Sequence, residues 1–262
     1  MLINQSTQFL IEELTLITEY GKYDITPAID ELNIFDNMFF PCMSGSVMIT
    51  DSMGLSEKLK FDGNEFLKMK LTKSKDAPTS FFQFEKIFRV YKIGNKTNIN
   101  QTAKTYVLNF VSEEYLLSEQ QKVSQSFKGK YSNIVFNILS NYLKLTKDAK
   151  NGKSKIGNIV ETNGAQHTYI APTITPFGAI DQLCKRSVYK NNKPDFLFFE
   201  NSDGYHFVPL SQLLMQQPFY EINCRPKNIE ENLKDELLGA RKFKVISQSN
   251  VAENIKNGSI AG

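Results

Sequence analysis

The chain has 262 residues, of which 41% are hydrophobic and 23% are charged, a composition typical of a soluble globular protein. This length predicts roughly two domains and a sizeable buried core. The formal net charge of +3 is too small to indicate a nucleic acid or an acidic membrane as a partner. The chain has 20 Phe, 11 Tyr and no Trp, and this aromatic content favours packed β-strands.

The cysteines and the N-terminus indicate the compartment. Cys42, Cys184 and Cys224 are odd in number and far apart, which favours reduced thiols in a cytosolic compartment over a disulfide framework. The first residues lack the basic and long apolar regions of a signal peptide. No run approaches the roughly 18 apolar residues of a transmembrane helix. We therefore expect no membrane insertion by this chain, and release by lysis if the protein leaves a cell.

The first 112 residues are predicted to be almost entirely β-structure, because apolar and polar residues alternate along them. In the clearest strand, residues 66–72, Leu67, Met69 and Leu71 are predicted to face a core. Residues 94–98 are polar and are predicted to form the turn of a hairpin between the last two strands. About six strands are expected, five of them at residues 9–18, 29–34, 66–72, 81–93 and 104–111.

The remaining strand is predicted within residues 39–54. The residues of this segment indicate a structural role and no catalysis. Pro41 has no N–H to donate and suits the start of a strand. Gly45 permits a bulge or a close backbone approach. Val47 and Ile49 share one face of the strand because side chains alternate with a period of two. The segment from Asp51 onward has the residues of a turn.

The spacing of apolar residues changes after residue 112 from that of strands to that of helices. An α+β domain is expected from residue 113 to about residue 218. Ser132 is predicted to cap a helix with one apolar stripe. Thr175 as cap and Pro176 as first helical residue mark a second helix, whose apolar side is expected to reach Val188. Residues 195–208 are predicted to form a hairpin, because Asp203 and Gly204 supply its turn.

The last part of the chain, residues 219–262, is predicted to begin a second β domain. Residues 243–247 have the pattern of a strand. Residues 255–262 repeat the Gly-Ser-β-branched step of residues 42–48, in what reads as the middle of a strand. The second domain is therefore expected to be only begun in this sequence.

The sequence predicts no catalytic, metal or cofactor site. His167 and His206 have no ligand at metal spacing, and the cysteines form no Cys-x-x-Cys pair. No phosphate-binding or dinucleotide-binding glycine loop is present. Glu113 and Glu114 are adjacent, and on a strand they would point to opposite faces and form no acid–base pair. Lys68 and Lys70 form a basic strand face that is expected either to face solvent or to line a channel.

Three segments carry a resemblance to a known family. The first is the block 29–55, with Phe39-Phe40-Pro41, residues 44–49 and Asp51. The second is residues 106–114, followed by residues 123–129 and a helix. The third runs from Thr175 through residues 195–207. In this order they resemble the baseplate hub proteins of contractile-tail bacteriophages, over most of residues 10–215.

The resemblance implies an α+β fold with an antiparallel, barrel-like β tube-type domain (1–112), an α+β middle domain (113–218) and the start of a second tube-type domain (219–262). It implies a homotrimeric ring that joins the hexameric tail tube to the central spike, contacts other baseplate proteins and leaves a channel for DNA as transient cargo. The protein would then be a structural component of the virion tail, present in the host cytoplasm during assembly. The residues expected at subunit contacts or on the ring wall are Phe39, Phe40, Ser44, Gly45, Val47, Ile49 and Asp51.

Two other functions remain open. One is a hub or spike component of another contractile injection system, such as type VI secretion, which shares the β-domain architecture. A spike would need long repetitive β-helix sequence after the hub, which this chain lacks. The other is a small hydrolase that uses Cys184 or His206. The chain also departs from the hub pattern because it ends soon after Gly258, where most of a second tube domain would follow.

Overall fold

Strands dominate the computed structural model, which describes residues 9–51, 54, 63–73, 83–99, 103–148, 152–164, 166–190 and 194–217. The helices are α1 (Glu113–Gln120), α2 (Tyr131–Asn141), α3 (Pro176–Cys184) and α4 (Leu210–Leu214). The strands of the large sheet are β1 (Phe9–Thr18), β2 (Gly21–Asp24), β3 (Ile29–Phe35), β4 (Ser44–Asp51), β5 (Phe66–Lys73), β6 (Gln83–Asn98) and β7 (Lys104–Ser112). The remaining strands are β8 (Ser126–Gly129), β9 (Ile156–Ile159), β10 (His167–Ile170), β11 (Phe196–Asn201) and β12 (Gly204–Pro209).

The first seven strands form one antiparallel sheet in the order β2-β1-β5-β6-β7-β4-β3. Along β4 the burial alternates strictly, because every second side chain faces the core. The same alternation buries Leu67, Met69 and Leu71 on β5, as their spacing predicted. One face of the sheet therefore carries a continuous apolar core.

This sheet has to curl, because its two edge strands are neighbours in the chain. Five Cα–Cα steps lead from Asp24 at the end of β2 to Ile29 at the start of β3. They span at most about 18 Å, whereas the edges of a flat seven-stranded sheet would lie about 29 Å apart. A short 3-10 helix (Thr26–Ala28) shortens the connection further. The sheet is thus a curled half-barrel, with its apolar core on the concave face.

The link between the edge strands is fastened to β1. The backbone N–H of Leu14 donates to Oγ1 of Thr26 over 2.9 Å, and the N–H of Ile25 donates to the carbonyl of Leu14 over 3.0 Å. Ile25 itself is buried. The curl is therefore held by hydrogen bonds as well as by the length of the chain.

Residues after 112 pack helices against two small sheets. Strands β8 and β10 pair antiparallel, and a three-stranded sheet has the order β11-β12-β9, with β9 parallel to β12. The apolar stripe of α2 and that of α3 face each other across a second hydrophobic cluster. The two clusters meet along the chain, because Cys42 and Val111 belong to the second cluster while Met43 and Phe110 belong to the first.

The predicted α+β fold class is confirmed, with a mostly antiparallel, half-barrel first part. Among the residues that the structure describes, the first part has seven strands, since β2 joins the expected six. The predicted domain boundaries at residues 112 and 218 stay predictions. Residues Phe9–Gln216 form one compact unit. The strand at 243–247 and the repeat at 255–262 lie outside the described residues.

Several local predictions were wrong. Residues 94–98 continue β6 and pair with β7 across a bulge, so the hairpin turn comes later. Ser132 does not cap α2, which starts after Lys130; its hydroxyl accepts from the N–H of Thr162 instead. Helix α3 ends at Cys184, four residues before Val188.

The two expected features around α3 and the last hairpin are confirmed. Oγ1 of Thr175 accepts from the N–H of Gly178 over 3.2 Å, and Pro176 opens the helix. The hairpin of β11 and β12 closes with Asn201 opposite Gly204. Gly204 has a φ of +117°, a conformation that favours glycine, so the Asp-Gly pattern predicted this turn for the right reason.

Candidate functional site: a buried charged joint

A cluster of buried polar side chains lies where the two hydrophobic clusters meet, and we call it the joint. Adjacent residues Cys42 and Met43 lead into it, one packing into each cluster. Strands β6, β7, β11 and β12 and helix α1 each contribute one residue, and the others come from the segments before β4 and β9. The members of the joint are Cys42, Met43, Lys86, Ser112, Glu114, Ser154, Glu200 and Tyr205.

Glu200, near the end of β11, is the centre of the joint, and its side chain is 0% exposed. One carboxylate oxygen, Oε2, accepts from the Ser112 hydroxyl over 2.5 Å and from the backbone N–H of Met43 over 2.9 Å. The other, Oε1, accepts from the Lys86 ammonium and from the Ser154 hydroxyl, the latter over 3.1 Å. Both oxygens are thus satisfied, as a buried carboxylate requires.

Lys86 brings a positive charge from β6 into the same buried space. Its side chain is 7% exposed and forms an ion pair with Glu200. The ammonium also donates to Oγ of Ser154 over 3.1 Å. A buried ion pair is costly to break because the remaining charge is left without solvent or a partner. The pair therefore fixes β11 against β6 in one arrangement.

A second set of contacts in the joint involves Tyr205 on β12. Its hydroxyl donates to Oε2 of Glu114 over 3.3 Å and lies 3.5 Å from Sγ of Cys42. Burial, with the neighbouring Glu200 charge, raises the pKa of Glu114 to about 7. Burial also raises the pKa values of the Cys42 thiol and the Tyr205 hydroxyl, which both stay protonated at neutral pH.

A cleft of about 630 Å³ lies beside α1 and borders the joint. It reaches Glu114 and Ser154, and half of its lining residues are apolar side chains from β1, β5, β6, α1 and the segment after α2. Lys144 and Lys153 also line it. Glu114 thus lines this cleft although it is a buried residue.

The structure separates the predicted interface residues into two groups. Val47 and Ile49 are 0% exposed and face the core of the chain's own sheet, and Asp51 and Gly45 are also buried. Ser44 is half-buried on the other face of β4. The role of this strand at a subunit contact stays a prediction, and within the chain it serves as a core strand.

Phe39 and Phe40 lie on the surface, in the loop between β3 and β4. Phe39 is 73% exposed and Phe40 is 39% exposed, with the ring of Phe40 centred 5.8 Å from that of Tyr115 on α1. Phe35, at the end of β3, is also exposed. These three residues expose their rings between the end of β3 and the start of β4, and we call them the aromatic loop.

Lys68 and Lys70 face outward from β5 and are balanced by acidic neighbours. Nζ of Lys68 lies 2.8 Å from Oε2 of Glu13, and Nζ of Lys70 lies 2.6 Å from Oε2 of Glu12. Glu85 on β6 lies 3.8 Å from Lys68. This strand face is therefore close to neutral. The two predicted placements, in a channel or toward solvent, both stay open.

The residues considered for catalysis lie apart from one another. Nδ1 of His206 accepts from the N–H of Asn158 over 3.1 Å, so Nε2 carries the proton and donates to Oδ1 of Asn201 over 2.8 Å. Cys184 is buried at the end of α3, and burial raises the pKa of its thiol to about 12. His167 stacks on Tyr131, with ring centroids 4.5 Å apart. Among the described residues, no group of three or more His, Cys, Asp or Glu side chains could hold a metal ion.

The joint was not predicted from the sequence, although the sequence contains a signal for it. Lys86 lies two positions from the buried Phe84 and Phe88, and therefore on the same face of β6. Glu200 lies four positions from the buried Phe196, and therefore on the same face of β11. Two opposite charges at inward positions of two strands indicate a buried ion pair. Glu113 and Glu114 were placed on a strand, whereas they open α1, and only Glu114 is buried there.

Comparison with known proteins finds similarity only in structure. No protein-family model and no curated protein matches the chain. The 43 kDa tail protein of prophage MuSo2 from Shewanella oneidensis is 9% identical, with 74% of this chain and 52% of that one aligned at a TM-score of 0.48. The tail protein from Neisseria meningitidis MC58 is 9% identical, with 83% and 55% aligned at 0.48.

A third similar structure is the E. coli c3393 protein, described as a component of the type VI secretion system with structural similarity to the T4 tail proteins gp27 and gp5. It is 9% identical, with 84% of this chain and 53% of that one aligned at a TM-score of 0.40. The chain thus spans about half the length of these proteins. Within the part of the chain that the structure describes, no helix is long and apolar enough to cross a membrane.

Proposed function

We propose that this protein is a structural subunit of a bacteriophage baseplate hub. It forms a homotrimeric ring that joins the tail tube to the central spike and leaves a channel for DNA. Its partners are the tail tube protein, the spike protein and other baseplate proteins, and it acts in the virion tail without catalysis.

The observation that carries this proposal is the curled sheet with two open edges. Among the described strands, β2 and β3 each pair on one side only. An open strand edge is a ready template for another chain, and natural proteins cover or block edges that are not used. Strand β3 carries no Pro or Lys, and its charged residues Asp30 and Glu31 and its bulge lie at its start, so residues 32–35 are free of these blocking features. Such a half-barrel is suited to a ring in which neighbouring subunits complete one another's sheets.

The aromatic loop supports the same proposal. Exposed large rings are enriched at protein–protein contacts, because they bury much apolar area at little cost in conformational entropy. Phe35 and Phe39 flank the end of β3, so the open edge and the exposed rings lie next to each other in the chain. A subunit contact at this edge would bury both features together.

The joint gives the ring a fixed geometry. Because Glu200, Lys86 and Ser112 hold the residues after 112 against the sheet, a subunit can present them at a constant angle. A ring that adapts one symmetry to another needs subunits of defined shape. In this function the joint is a structural element rather than a reaction centre.

Multi-angle light scattering of the full chain at micromolar concentration tests the proposal. We expect a species with three times the mass of the 29.9 kDa chain, alone or after addition of tail tube and spike proteins. Electron microscopy should then show threefold rings with a central opening. A chain that stays monomeric at every concentration, and with both partners, would refute the ring. Assembly with the tube and spike proteins of a secretion system, but not with those of a phage, would favour the other contractile injection system.

A further inference from the structure

The joint holds two buried carboxyl groups and one buried ammonium group. Lys86 pairs with Glu200, and in the described part of the chain Glu114 forms no ion pair. Two carboxylates and one ammonium leave an excess negative charge in a space with little solvent, which is unfavourable. The arrangement is balanced when Glu114 carries a proton.

Glu114 is also placed where its charge matters for the contact between the two hydrophobic clusters. It is the second residue of α1, two positions after Ser112, and it accepts from Tyr205 on β12, so it bridges the end of β7 and the last hairpin. A proton on the carboxyl leaves this hydrogen bond intact and removes the repulsion from Glu200. The cleft beside α1 lets the proton exchange with solvent.

We propose that Glu114 makes the joint a proton-controlled latch. With a proton on Glu114, the residues after 112 are held tightly on the half-barrel sheet, and loss of that proton loosens the joint without unfolding either hydrophobic cluster. This inference rests on the joint alone and holds whether or not the chain forms a ring.

The groups that face Glu114 come from every element packed around it. They are Tyr205 from β12, Glu200 from β11, Lys86 from β6, Cys42 from the segment before β4, and Ser154 from the loop before β9. Glu113, Lys144 and Lys153 lie along the same cleft. Asp36 is more distant, and its pKa is raised by burial and by the Glu200 charge.

The direction of the pH effect follows from the raised pKa of Glu114, about 7 compared with an ordinary value of 4.5. The closed joint binds a proton more tightly than the open one, so opening becomes easier as pH rises through this window. Between pH 4.5 and 7 the opening equilibrium constant should rise about tenfold per pH unit and then level off. Below pH 4.5 both states are protonated, and the effect disappears.

Cys42 is a natural reporter of the open joint. It is 2% exposed and lies 3.5 Å from the Tyr205 hydroxyl, so a thiol reagent reaches it only after the joint opens. Cys184 is a matched internal reference, because it is also buried but lies at the end of α3 away from the joint. Loosening of the joint alone exposes Cys42, whereas global unfolding exposes both.

The experiment labels the full chain with 4,4′-dithiodipyridine, which reacts in acid, from pH 5 to 8. Mass spectrometry of the separated peptides gives the rate at each cysteine, and the unfolded chain in urea corrects for intrinsic thiol reactivity. We expect the corrected rate at Cys42 to rise on the order of a hundredfold relative to that at Cys184. Glu114→Gln, which keeps an acceptor for Tyr205, should remove this rise, whereas Glu119→Gln on the exposed side of α1 should retain it.

Three results would overturn the latch. They are equal pH dependence at Cys42 and Cys184, a rate at Cys42 that does not depend on pH, and an unchanged rise in Glu114→Gln. If Glu114→Gln does not fold, the ratio of the two cysteines in the wild-type chain still decides between the outcomes.

Discussion

At the scale of single residues, the joint depends on one carboxylate. Glu200 accepts four hydrogen bonds while its side chain is fully buried. Its energetic role differs from that of the ion pairs on the outer face of the sheet. There Glu13 and Lys68 are each about one third exposed, and solvent screens their attraction.

We predict that Glu200→Gln destabilises the protein strongly, because the buried Lys86 ammonium would lose the carboxylate with which it forms its ion pair. The free energy of unfolding should fall by about 3–5 kcal/mol, measured by urea denaturation. The double variant with Lys86→Met should be more stable than Glu200→Gln alone, because it removes the unpaired charge. Glu13→Gln is the control and should cost at most about 1 kcal/mol. Equal losses for Glu200→Gln and Glu13→Gln would contradict this account.

Gly45 illustrates a second constraint at the residue scale, that of space. It lies opposite Phe110 on β7, and an added Cβ would come within 2.4 Å of the Phe110 ring and 2.3 Å of the carbonyl oxygen of Asn33. The close backbone approach predicted for this glycine is confirmed. The neighbour of Gly45 on the other side is backbone, which cannot rotate away.

We therefore predict that Gly45→Ala lowers the free energy of unfolding by about 1–3 kcal/mol through overpacking. Gly94→Ala is a matched control in the same sheet, since its Cβ would meet only the Asn109 side chain at 3.8 Å. Thermal denaturation followed by circular dichroism should separate the two variants. A Gly45→Ala protein as stable as Gly94→Ala would contradict the tight packing of Gly45 against Phe110 and Asn33.

At the scale of elements, the start of α3 shows how a local pattern determines a structure. Thr175 accepts from the N–H of Gly178, and Pro176 occupies a position where no N–H is needed. Helix α2 lacks such a cap, and Ser132, which was expected to provide one, is used to bind the backbone N–H of Thr162. One helix therefore begins where its sequence predicts, and the other where its packing requires.

We predict that Thr175→Ala lowers the free energy of unfolding by about 1 kcal/mol, because one N–H at the start of α3 loses its acceptor. Thr175→Ser should retain most of the stability, since its hydroxyl can accept the same hydrogen bond. Urea denaturation of the three proteins provides the measurement. If the serine variant is no more stable than the alanine variant, the cap does not stabilise α3.

At the scale of the whole molecule, assembly through the aromatic loop makes a separate prediction. Phe39→Ser should leave the stability of the monomer within about 0.5 kcal/mol, because the ring is mostly exposed. It should weaken the proposed ring and shift assembly to a higher concentration, measured by analytical ultracentrifugation. Tyr20→Ser is the control, because Tyr20 is 64% exposed between β1 and β2. Unchanged assembly of Phe39→Ser, or equal weakening by Tyr20→Ser, would show that the subunit contact does not depend on the aromatic loop.

The sequence alone determined the strands and their faces, because alternation with a period of two is a local property. Leu67, Met69 and Leu71 are buried as predicted, and Val47 and Ile49 share one face of β4 as predicted. The Asp-Gly turn and the Thr175 cap could also be predicted from the sequence, since each depends on residues within four positions of one another. The same local approach placed the turn at residues 94–98 wrongly, because pairing with β7 extends β6 through a polar segment.

Only the tertiary structure decided how these elements join. The order of strands puts β2 and β3 at opposite edges of the sheet, and the short link between them makes the sheet curl. The joint brings together Lys86, Glu114 and Glu200, which are 28 or more positions apart. No local pattern relates residues at such distances. Their burial, and with it the raised pKa of Glu114, follows from the low-dielectric space that the two hydrophobic clusters enclose.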